Sequence, residues 1–578
     1  MCRSPAIGGD LPRSLTPEER AYLRRFPLSS WGADAPTLPP TGPIQCVAEY
    51  EPMEGLIVSW STGFPGAWQT ILGQIARRTT VDAQSLIYVV VSNSSQQTSV
   101  TTLLTNAGAN LSNVRFMVAP FNSIWMRDYG PRYIYEGSVR AIVDHRYNRP
   151  RPQDDVIPGV FSTYKRQPFY ELGWNGNTLI HGGGNFHLDA VDRGYATRLI
   201  VNENNPPFTS YSYPEVEINN TWLGYQGLNM HLFDPLPASV DATQHLDMWM
   251  QIIADDRVII SDWPNNPGSP QDVICDNAAV FMASRGYTVT RVPAFSISGS
   301  HYTFTNMVMI NNVVVVPQYT VGAAGSASAS ALATIQAALP AGKTAIGLNA
   351  DGIVTSAGVF HCIVMHIPVH LGAPGPNGGL APTAYLRGPN GGEALTPGQS
   401  FTISWITDDD GTINGAGGVA SVNLELSTDG GATFPTTIAT GLPFAGSFNW
   451  TVPSVNTSQA RVRVMAVDAQ GNTGSDASDG NFTIGTALVQ NQSHRELVRH
   501  GRGSCRAASR CPGLLPQPRL RGRGVRRGVL PSALGRCRQS PDQRRGRVGG
   551  LPCGRGRGPD RPPGDQLRDG RPGRGAPG

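Results

Sequence analysis

The sequence lacks the features that would anchor a chain in a membrane or tie it together with disulfides. No stretch of the 578 residues combines the length and apolarity of a membrane span, and the longest uncharged region, Val292 to Gly342, is largely Gly, Ser, Ala and Asn. Residues 1–27 are rich in charge and have no apolar h-region, so no signal peptide is predicted. The four cysteines before Gly485 have the spacing of neither a zinc site nor a disulfide framework.

Basic charge is scarce in the body of the chain. The formal net charge is +4, but the residues from Gly485 onward include 21 Arg against 5 acidic residues, a balance of +16. The preceding residues therefore carry 25 basic and 37 acidic side chains, a balance of −12. An acidic body argues against nucleic-acid binding, and no nucleic-acid partner is expected.

The tail, residues 485–578, lacks what a folded core needs. Beyond Asn491 it contains no Lys, Ile, Phe, Tyr, Trp or Met, and its Arg, Gly, Pro, Leu and Ser show no periodicity. Such a segment has little apolar surface to bury. Two interpretations remain, a disordered basic arm or a GC-rich gene read out of frame. The abrupt change in composition favours the frameshift.

Short apolar runs alternate with turns and helix-like segments after a leader of residues 1–44. The runs are Gly55–Trp60, Ser85–Val91, Arg198–Asn202, Arg257–Ser261 and Val313–Pro317. They resemble one another, and Ser328–Leu339 reads as a helix among them. Buried strands between helices predict an α/β domain with weak internal repetition over residues 45–370.

A different pattern follows a Gly/Pro-rich linker at residues 371–383. Between 384 and 484 apolar and polar residues alternate in short runs separated by turns, as at Phe401, Ile403 and Trp405. This predicts an all-β sandwich, similar to immunoglobulin-like or fibronectin-like modules. The acidic run Asp408–Gly411 could bind calcium, but a solvated turn is favoured because its spacing is not that of a known calcium loop.

Three clusters in the α/β region carry groups capable of chemistry. They are Trp125–Pro131 (WMRDYGP), His245–Asp247 (HLD) and Gly358–Cys362 (GVFHC). If the second cluster is extended, His245 and Asp247 share one face. Each cluster alone also has a structural explanation: Asp128 could pair with Arg127, the second cluster could be a surface strand edge, and Cys362 could be an inert core cysteine.

Taken together, in this order, the clusters resemble the bacterial (Porphyromonas-type) peptidylarginine deiminases, which share a superfamily with the agmatine deiminases. The resemblance runs from about Ala48 to Pro368. Its landmarks are WMRDYGP at 125–131, HGGGNF at 181–186, HLD at 245–247, FTN at 304–306 and FHC at 360–362.

The resemblance implies a hydrolase that converts the guanidinium of C-terminal peptidylarginine to citrulline and releases ammonia through a covalent thiouronium. It also implies a five-bladed, pseudo-symmetric α/β propeller (the pentein fold) with the site at its centre, and neither a metal nor an organic cofactor. The implied site comprises the nucleophile Cys362, the general acid and base His245, the guanidinium-binding Asp128 and Asp247, the supporting Asn306 and the substrate-contacting Trp125. A guanidinium is a planar, resonance-stabilised cation, so carboxylates that hold it and a thiolate that attacks it suit this reaction.

The substrate beyond the guanidinium is the open question. Arg149 and Arg151 lie two apart in a proline-stiffened segment that resembles the one with which peptidylarginine deiminases bind a terminal carboxylate, although a solvated basic loop is the alternative. The expected partners are arginine-containing peptides or proteins, or small guanidino compounds. Alternatives are an agmatine deiminase (agmatine to N-carbamoylputrescine) and a non-catalytic module that binds arginyl peptides. Met248 and Trp249 depart from the family pattern at a place where they could reshape the pocket.

Two further expectations concern ionisation and location. We expect Cys362 to be a thiolate near neutral pH, or to become one when a cationic substrate binds. The acidic body and trailing sandwich predict export to the cell surface or periplasm, whereas the missing signal peptide favours the cytoplasm. A start codon assigned too far downstream would reconcile the two.

Overall fold

A computed structural model describes residues 11–28, 35–411 and 418–485 of the chain. The statements on structure that follow refer to these residues. The predictions for the tail beyond Gly485 concern residues outside these ranges, and so does the part of the predicted leader before Leu11.

The region up to residue 368 is built from five copies of one α/β unit. In each, two strands pair antiparallel, and a third strand that follows a helix pairs parallel with the second. The elements before the first unit are α1 (Pro17–Leu23) and β1 (Ile44–Cys46). The first unit has β2 (Met53–Ser59), α2 (Gly66–Arg77), β3 (Leu86–Val91), α3 (Ser94–Asn106) and β4 (Val114–Val118), followed by the short α4 (Met126–Tyr129).

The second and third units follow in chain order with short strands between them. The second has β5 (Arg132–Glu136), β6 (Val139–Asp144), β7 (Arg146–Tyr147), α5 (Pro152–Asp155), α6 (Ile157–Lys165) and β8 (Phe169–Glu171). The connecting strands are β9 (Gly173–Trp174), β10 (Asn177–Thr178) and β11 (Ile180–His181). The third has β12 (His187–Leu188), β13 (Arg193–Thr197), α7 (Leu199–Glu203), α8 (Glu215–Gln226) and β14 (Asn229–Phe233).

The fourth and fifth units repeat the pattern in its plainest form. The fourth has β15 (Met250–Ala254), β16 (Arg257–Asp262), α9 (Pro270–Ser284) and β17 (Thr288–Pro293), and the hairpin β18 (Phe295–Ile297) and β19 (Ser300–Tyr302) follows. The fifth has β20 (Val308–Ile310), β21 (Val313–Gln318), α10 (Gly322–Ala338) and β22 (Thr344–Asn349). None of the helices in the described part of the chain is both long enough and apolar enough to cross a bilayer.

The last strand of the α/β region completes the first unit. Strand β23 (Met365–Pro368) pairs antiparallel with β2, with His366 opposite Leu56. The chain segment that carries Cys362 therefore lies beside the first unit. The predicted α/β class holds, and five units of one type agree with the pentein fold that the resemblance implied.

One predicted strand is wrong. The run Leu199–Asn202 lies in α7, and the strand equivalent to β16 and β21 is β13, immediately before it. A four-residue apolar run shows no period that separates strand from helix. The other runs used for the prediction are strands, and they are apolar throughout because helices and neighbouring units cover both faces.

Residues 383–484 consist of strands in two sheets that enclose an apolar core. One sheet has β24 (Thr383–Gly388), β26 (Ser400–Asp408) and β29 (Gly446–Thr451). The other has β25 (Ala394–Leu395), β27 (Val419–Ser427), β28 (Thr436–Leu442), β30 (Thr457–Asp468), β31 (Thr473–Ala477) and β32 (Phe482–Ile484). Trp405, Leu424 and Val464 are fully buried in this core. The immunoglobulin-like or fibronectin-like assignment stays a prediction.

A buried ion pair joins the two regions, and it corrects the predicted solvated turn at Asp408. The Arg140 Nε atom donates to Asp408 Oδ2 at 2.6 Å, and both side chains are fully buried. Arg140 also pairs with Glu54. Gln167 donates to the second Asp408 oxygen at 2.8 Å. Asp408 is therefore an interface residue whose oxygens are occupied by protein donors.

Candidate active site

The three predicted clusters converge on one buried point, each from a short irregular segment. Asp128 lies in the single turn of α4, and Cys362 in a 3-10 turn (His361–Ile363) just before β23. The HLD cluster is not extended, because a 3-10 turn begins at Leu246 directly after His245. His245 and Asp247 nevertheless face the same point, and all four side chains are fully buried.

The point of convergence is occupied by a guanidinium that the sequence did not single out, that of Arg13 in the leader. Its Nε and Nη2 atoms donate to the two Asp128 oxygens at 2.9 and 2.8 Å. Its Nη1 and Nη2 atoms donate to the two Asp247 oxygens, both at 3.0 Å. The guanidinium is thus held edge-on by two bidentate carboxylates, as predicted for a substrate guanidinium.

The remaining predicted catalytic groups contact the same guanidinium. The Nη1 atom of Arg13 lies 2.6 Å from Cys362 Sγ, and Nη2 lies 2.8 Å from His245 Nδ1. The thiol and the imidazole therefore meet different terminal nitrogens of one cation. This arrangement can bring a sulfur nucleophile and a proton carrier to the same carbon.

Glycines leave the space that the guanidinium fills. A Cβ atom at Gly184 would lie 1.7 Å from Arg13 Nη2, and one at Gly358 would lie 3.0 Å from Arg13 Cδ and 3.1 Å from Cys362 Sγ. Gly182 is equally confined, since its Cβ would lie 2.7 Å from His245 Cε1. The HGGGNF landmark is therefore part of the cavity wall, a role that its glycine content alone did not reveal.

Charge in the site is shared between the cation and the two carboxylates. Burial would raise the pKa of Asp128 and of Asp247, but Arg13, acting together with His245 on Asp128 and with His361 on Asp247, outweighs burial and holds both pKa values well below their usual range. Both groups are thus carboxylates at neutral pH. Two buried carboxylates in contact with one cation leave a site that disfavours neutral or anionic occupants.

The ionisation expected for Cys362 needs correction. Burial raises the pKa of the Cys362 thiol well above its usual value, and Asp247 and Asp128 add to the rise while Arg13 opposes it. The group is a thiol at neutral pH even with a guanidinium beside it. Burial and Arg13 lower the pKa of His245, although Asp128 opposes them. The pair therefore starts as a neutral thiol and a neutral imidazole.

Asn306 links the nucleophile to the main chain at Asp247. Its Oδ1 atom is 3.2 Å from Cys362 Sγ and also accepts the backbone N–H of His361 at 3.1 Å. Its Nδ2 atom donates to the Asp247 carbonyl at 3.1 Å. One amide thus fixes the positions of both chain segments.

A second layer of charged groups was missed by sequence reasoning. His361 connects Asp247 Oδ2 through Nδ1 at 2.9 Å with Glu49 Oε1 through Nε2 at 2.9 Å. Glu49 is held as a carboxylate, because Arg127 and His361 outweigh burial and keep its pKa well below the usual range. The FHC landmark contains His361 directly before Cys362, so the sequence could have drawn attention to this histidine. Its partner Glu49 lies 312 residues away, and no local pattern connects the two.

Glu49, His187 and His361 present donor atoms within 4.8 Å of one another, which is close enough for a metal ion. Arg127 Nη1 already contacts Glu49 Oε1 at 2.6 Å, and His361 shares both Glu49 oxygens. These contacts satisfy Glu49 without a metal ion. The donor set therefore fits a hydrogen-bonded network better than a metal site.

The three predicted substrate-contacting residues all bind the main chain that surrounds Arg13. Trp125 Nε1 donates to the Leu11 carbonyl at 2.8 Å, and Arg149 Nε donates to the Arg13 carbonyl at 3.0 Å. Arg151 Nη2 donates to the Pro12 carbonyl at 2.7 Å. Both arginines are buried, so the alternative of a solvated basic loop is wrong.

Met248 and Trp249 do not form the wall of the guanidinium cavity. Trp249 is fully buried in a separate apolar cluster, where it packs edge-on against Phe233. Met248 Sδ lies 3.5 Å from Asn306 Nδ2, on the side of Asn306 away from its oxygen. Their departure from the family pattern therefore changes the packing behind the site and not the surface that contacts a guanidinium.

Comparison with known proteins identifies relatives of the α/β region. The model of the family described as Porphyromonas-type peptidyl-arginine deiminase matches residues 45–368, which is more than half of the chain. Two curated relatives named "Putative agmatine deiminase" are similar. The one from Vibrio parahaemolyticus is 24% identical over 304 residues, 44% of this chain and 79% of the relative. The one from Selenomonas ruminantium is 20% identical over 372 residues, 56% of this chain and 95% of the relative.

Two solved structures are also similar over the α/β region. The agmatine deiminase of Enterococcus faecalis is 19% identical with a TM-score of 0.48, covering 58% of this chain and 99% of that one. The agmatine deiminase of C. jejuni is 16% identical with a TM-score of 0.46, covering 56% and 96%. The family match itself extends from β1, which precedes the first unit, to the end of β23.

Proposed function

The chain belongs to the Porphyromonas-type peptidyl-arginine deiminase family, and on that premise we propose that it hydrolyses the guanidinium of arginine in peptides to citrulline and ammonia, with Cys362 as nucleophile. The observation that carries this proposal is the position of Arg13. A peptide-borne guanidinium lies against Asp128, Asp247, His245 and Cys362, while its own main chain is bound by other residues of the cleft.

In the first half of the reaction the sulfur of Cys362 replaces one terminal nitrogen on the guanidinium carbon. His245, neutral because its pKa is lowered, accepts the Cys362 thiol proton. The thiolate adds to the guanidinium carbon, which converts the cation to a neutral tetrahedral adduct. The imidazolium returns the proton to the nitrogen that contacts it, and ammonia leaves. A thiouronium cation on Cys362 remains, still paired with Asp128 and Asp247.

In the second half water replaces sulfur. Neutral His245 accepts a proton from the attacking water, and the new carbon–oxygen bond forms as the carbon–sulfur bond breaks. The sulfur takes up the proton lost by the protonated urea group, which restores the thiol, and the imidazolium of His245 releases the water proton to solvent, which restores the neutral imidazole. Citrulline is uncharged, so its hydrogen bonds to Asp128 and Asp247 are weaker than those of the cation, and product release is favoured.

Main-chain contacts favour a peptide over agmatine as substrate. Trp125, Arg149 and Arg151 donate to three consecutive carbonyls around the bound arginine. Agmatine has no carbonyl that could accept from them. The same donors suit the predicted C-terminal arginine, because one oxygen of a terminal carboxylate can take the place of the Arg13 carbonyl and gain charge. The names of the curated relatives keep agmatine as the second candidate.

The test is a citrulline assay on purified protein with three substrates: a peptide ending in arginine, a peptide with internal arginine, and agmatine. It is run with the natural chain and with Arg13→Gln, whose residue 13 offers no guanidinium. Cys362→Ala should lose turnover. Cys275→Ala is the matched control, since Cys275 is buried in a different apolar cluster and the variant should keep full turnover.

The outcomes separate the candidates. Peptide turnover above agmatine turnover supports the proposal, and a faster rate on agmatine in both backgrounds assigns the chain to the second candidate. Undiminished turnover by Cys362→Ala refutes the nucleophile. Binding of arginyl peptides without any product, in either background, would identify the non-catalytic module instead.

A further inference from the structure

Residues 11–23 of the leader, here called the plug segment, cover the site. The segment is held by its main chain at Arg13 and by a side chain in the first turn of α1. The Arg13 backbone N–H donates to the Ser356 carbonyl at 2.9 Å, and Glu19 pairs with Arg151 at 2.8 Å. Glu19 and Arg151 are both buried. The segment is therefore seated in the cleft by contacts on several sides, and not through the guanidinium alone.

Arg13 leaves no room for a second guanidinium. Its side chain is fully buried, and both carboxylates are already bidentate to it. The Nη2 atom of Arg13 occupies the space that a Cβ atom at position 184 would take. An external arginyl peptide therefore needs the plug segment to leave before it can bind.

The bound guanidinium lies directly against the nucleophile and the proton carrier. Cys362 Sγ and His245 Nδ1 lie 2.6 and 2.8 Å from its terminal nitrogens, and the chain itself holds them there. An intramolecular arrangement of this kind gains the rate advantage of high effective concentration. Nothing in these contacts distinguishes Arg13 from a bound peptide substrate.

We propose that Arg13 is an intramolecular substrate of the site, and that its conversion to citrulline releases the plug segment and opens the site to other arginyl peptides. The inference rests on the proposed function. The thiol of Cys362 adds to the Arg13 guanidinium carbon and ammonia leaves; water then forms the carbon–oxygen bond, the carbon–sulfur bond breaks, the thiol is restored, and the one proton released in the reaction passes through His245 to solvent. The product at position 13 is neutral, so the two ion pairs with Asp128 and Asp247 are lost.

The chemical outcome is read by tandem mass spectrometry of residue 13. In the natural chain we expect citrulline there, whereas Cys362→Ala and Cys362→Ser should both retain arginine. Arg20 lies on the same helix α1 and is exposed, so it is the matched control and should stay arginine. Arginine at position 13 in a natural chain that converts added arginyl peptides would overturn the inference while leaving the proposed function intact.

A mixing experiment separates an intramolecular from an intermolecular reaction. Cys362→Ala protein, which keeps its Arg13, is incubated with active Arg13→Gln protein, whose site is open, and residue 13 of the former is followed. We expect it to stay arginine over the time in which the natural chain is converted. Conversion at the rate seen in the natural chain would show that another molecule acts on it, which contradicts the intramolecular assignment.

Opening is measured as the initial rate on an external arginyl peptide. Arg13→Lys keeps a cation for the two carboxylates and cannot be deiminated, whereas Arg13→Gln is neutral like citrulline. We expect the lysine variant to be slower by about tenfold or more, the factor that one charge-assisted hydrogen bond corresponds to. Equal rates would refute release through charge loss. If no variant converts any peptide and Arg13 stays arginine, the proposed function itself has failed.

Discussion

The substitution Gly184→Ala tests the guanidinium cavity most directly. The added Cβ would lie 1.7 Å from the position of Arg13 Nη2, whereas non-bonded contacts are about 3.5 Å or longer. It would also lie 2.7 Å from an Asp247 oxygen and 2.9 Å from an Asp128 oxygen. The φ of Gly184 is not left-handed, so alanine can adopt the backbone and the clash is confined to the cavity.

The expected magnitude follows from the bonds that Nη2 makes. A displaced guanidinium loses the contacts of Nη2 with Asp128 at 2.8 Å and with Asp247 at 3.0 Å. Each hydrogen bond to a charged group contributes about 1.5–3 kcal/mol, so the loss is about 3–6 kcal/mol. This corresponds to a decrease in kcat/KM for arginyl peptides of about a hundredfold to ten-thousandfold.

The assay is steady-state citrulline formation in the Arg13→Gln background, so that the leader does not compete for the cavity. Gly159→Ala is the matched control, because Gly159 lies in α6, outside the site, and an added Cβ there would have its nearest neighbouring atom 4.0 Å away. Thermal unfolding should show both variants folded. A Gly184→Ala protein with the kcat/KM of its parent would refute the assignment of this cavity as the guanidinium site.

Three further predictions follow from the surroundings of the site. Glu49→Gln should weaken the positioning of His361 and lower kcat/KM about tenfold, since the hydrogen bond of His361 loses its carboxylate; the pair with Arg127 is lost as well, so the melting temperature should also fall. Because the pKa of His245 is lowered from 6.5, kcat should hold its neutral-pH value down to pH 6.5 and fall only below it; a decline centred above 6.5 in the pH profile would contradict this. Arg140→Ala should cost about 3–5 kcal/mol in urea unfolding because it removes the arginine shared by two carboxylates, Asp408 and Glu54, whereas the half-exposed Arg257→Ala should change stability little.

The fold could be predicted to the extent that burial leaves a mark in the sequence. Strands such as β16 and β21 are covered on both faces, so they read as unbroken apolar runs. Strand β13 carries the run Arg-Gly-Tyr-Ala-Thr, which is too polar to be found this way, and the apolar run that was chosen in its place is α7. Pairing between β23 and β2 joins the two ends of the region, and no local pattern encodes it.

The site could be predicted where chemistry restricts the residue type. The family landmarks pointed to four residues that meet at one point in the structure: Asp128, Asp247, His245 and Cys362. They also pointed to Asn306, which contacts Cys362. Residues that act through a partner distant in sequence were not accessible. Asp408 is an example, since its acidic run resembles a turn until Arg140 is placed against it, 268 residues earlier in the chain.

Arg13 shows why an occupant of the site escapes sequence reasoning. The leader contains five arginines, and composition does not distinguish among them. The start of α1 determines which of the five enters the cavity. Thr16 and Glu19 form a capping box that fixes the first turn of this helix, and Glu19 is placed against Arg151, which also donates to the Pro12 carbonyl. Arg13, the residue that follows that carbonyl, is thereby directed into the cavity. Its register depends on an ion pair between residues 132 positions apart, so the charge of the leader becomes meaningful only once the cleft has folded.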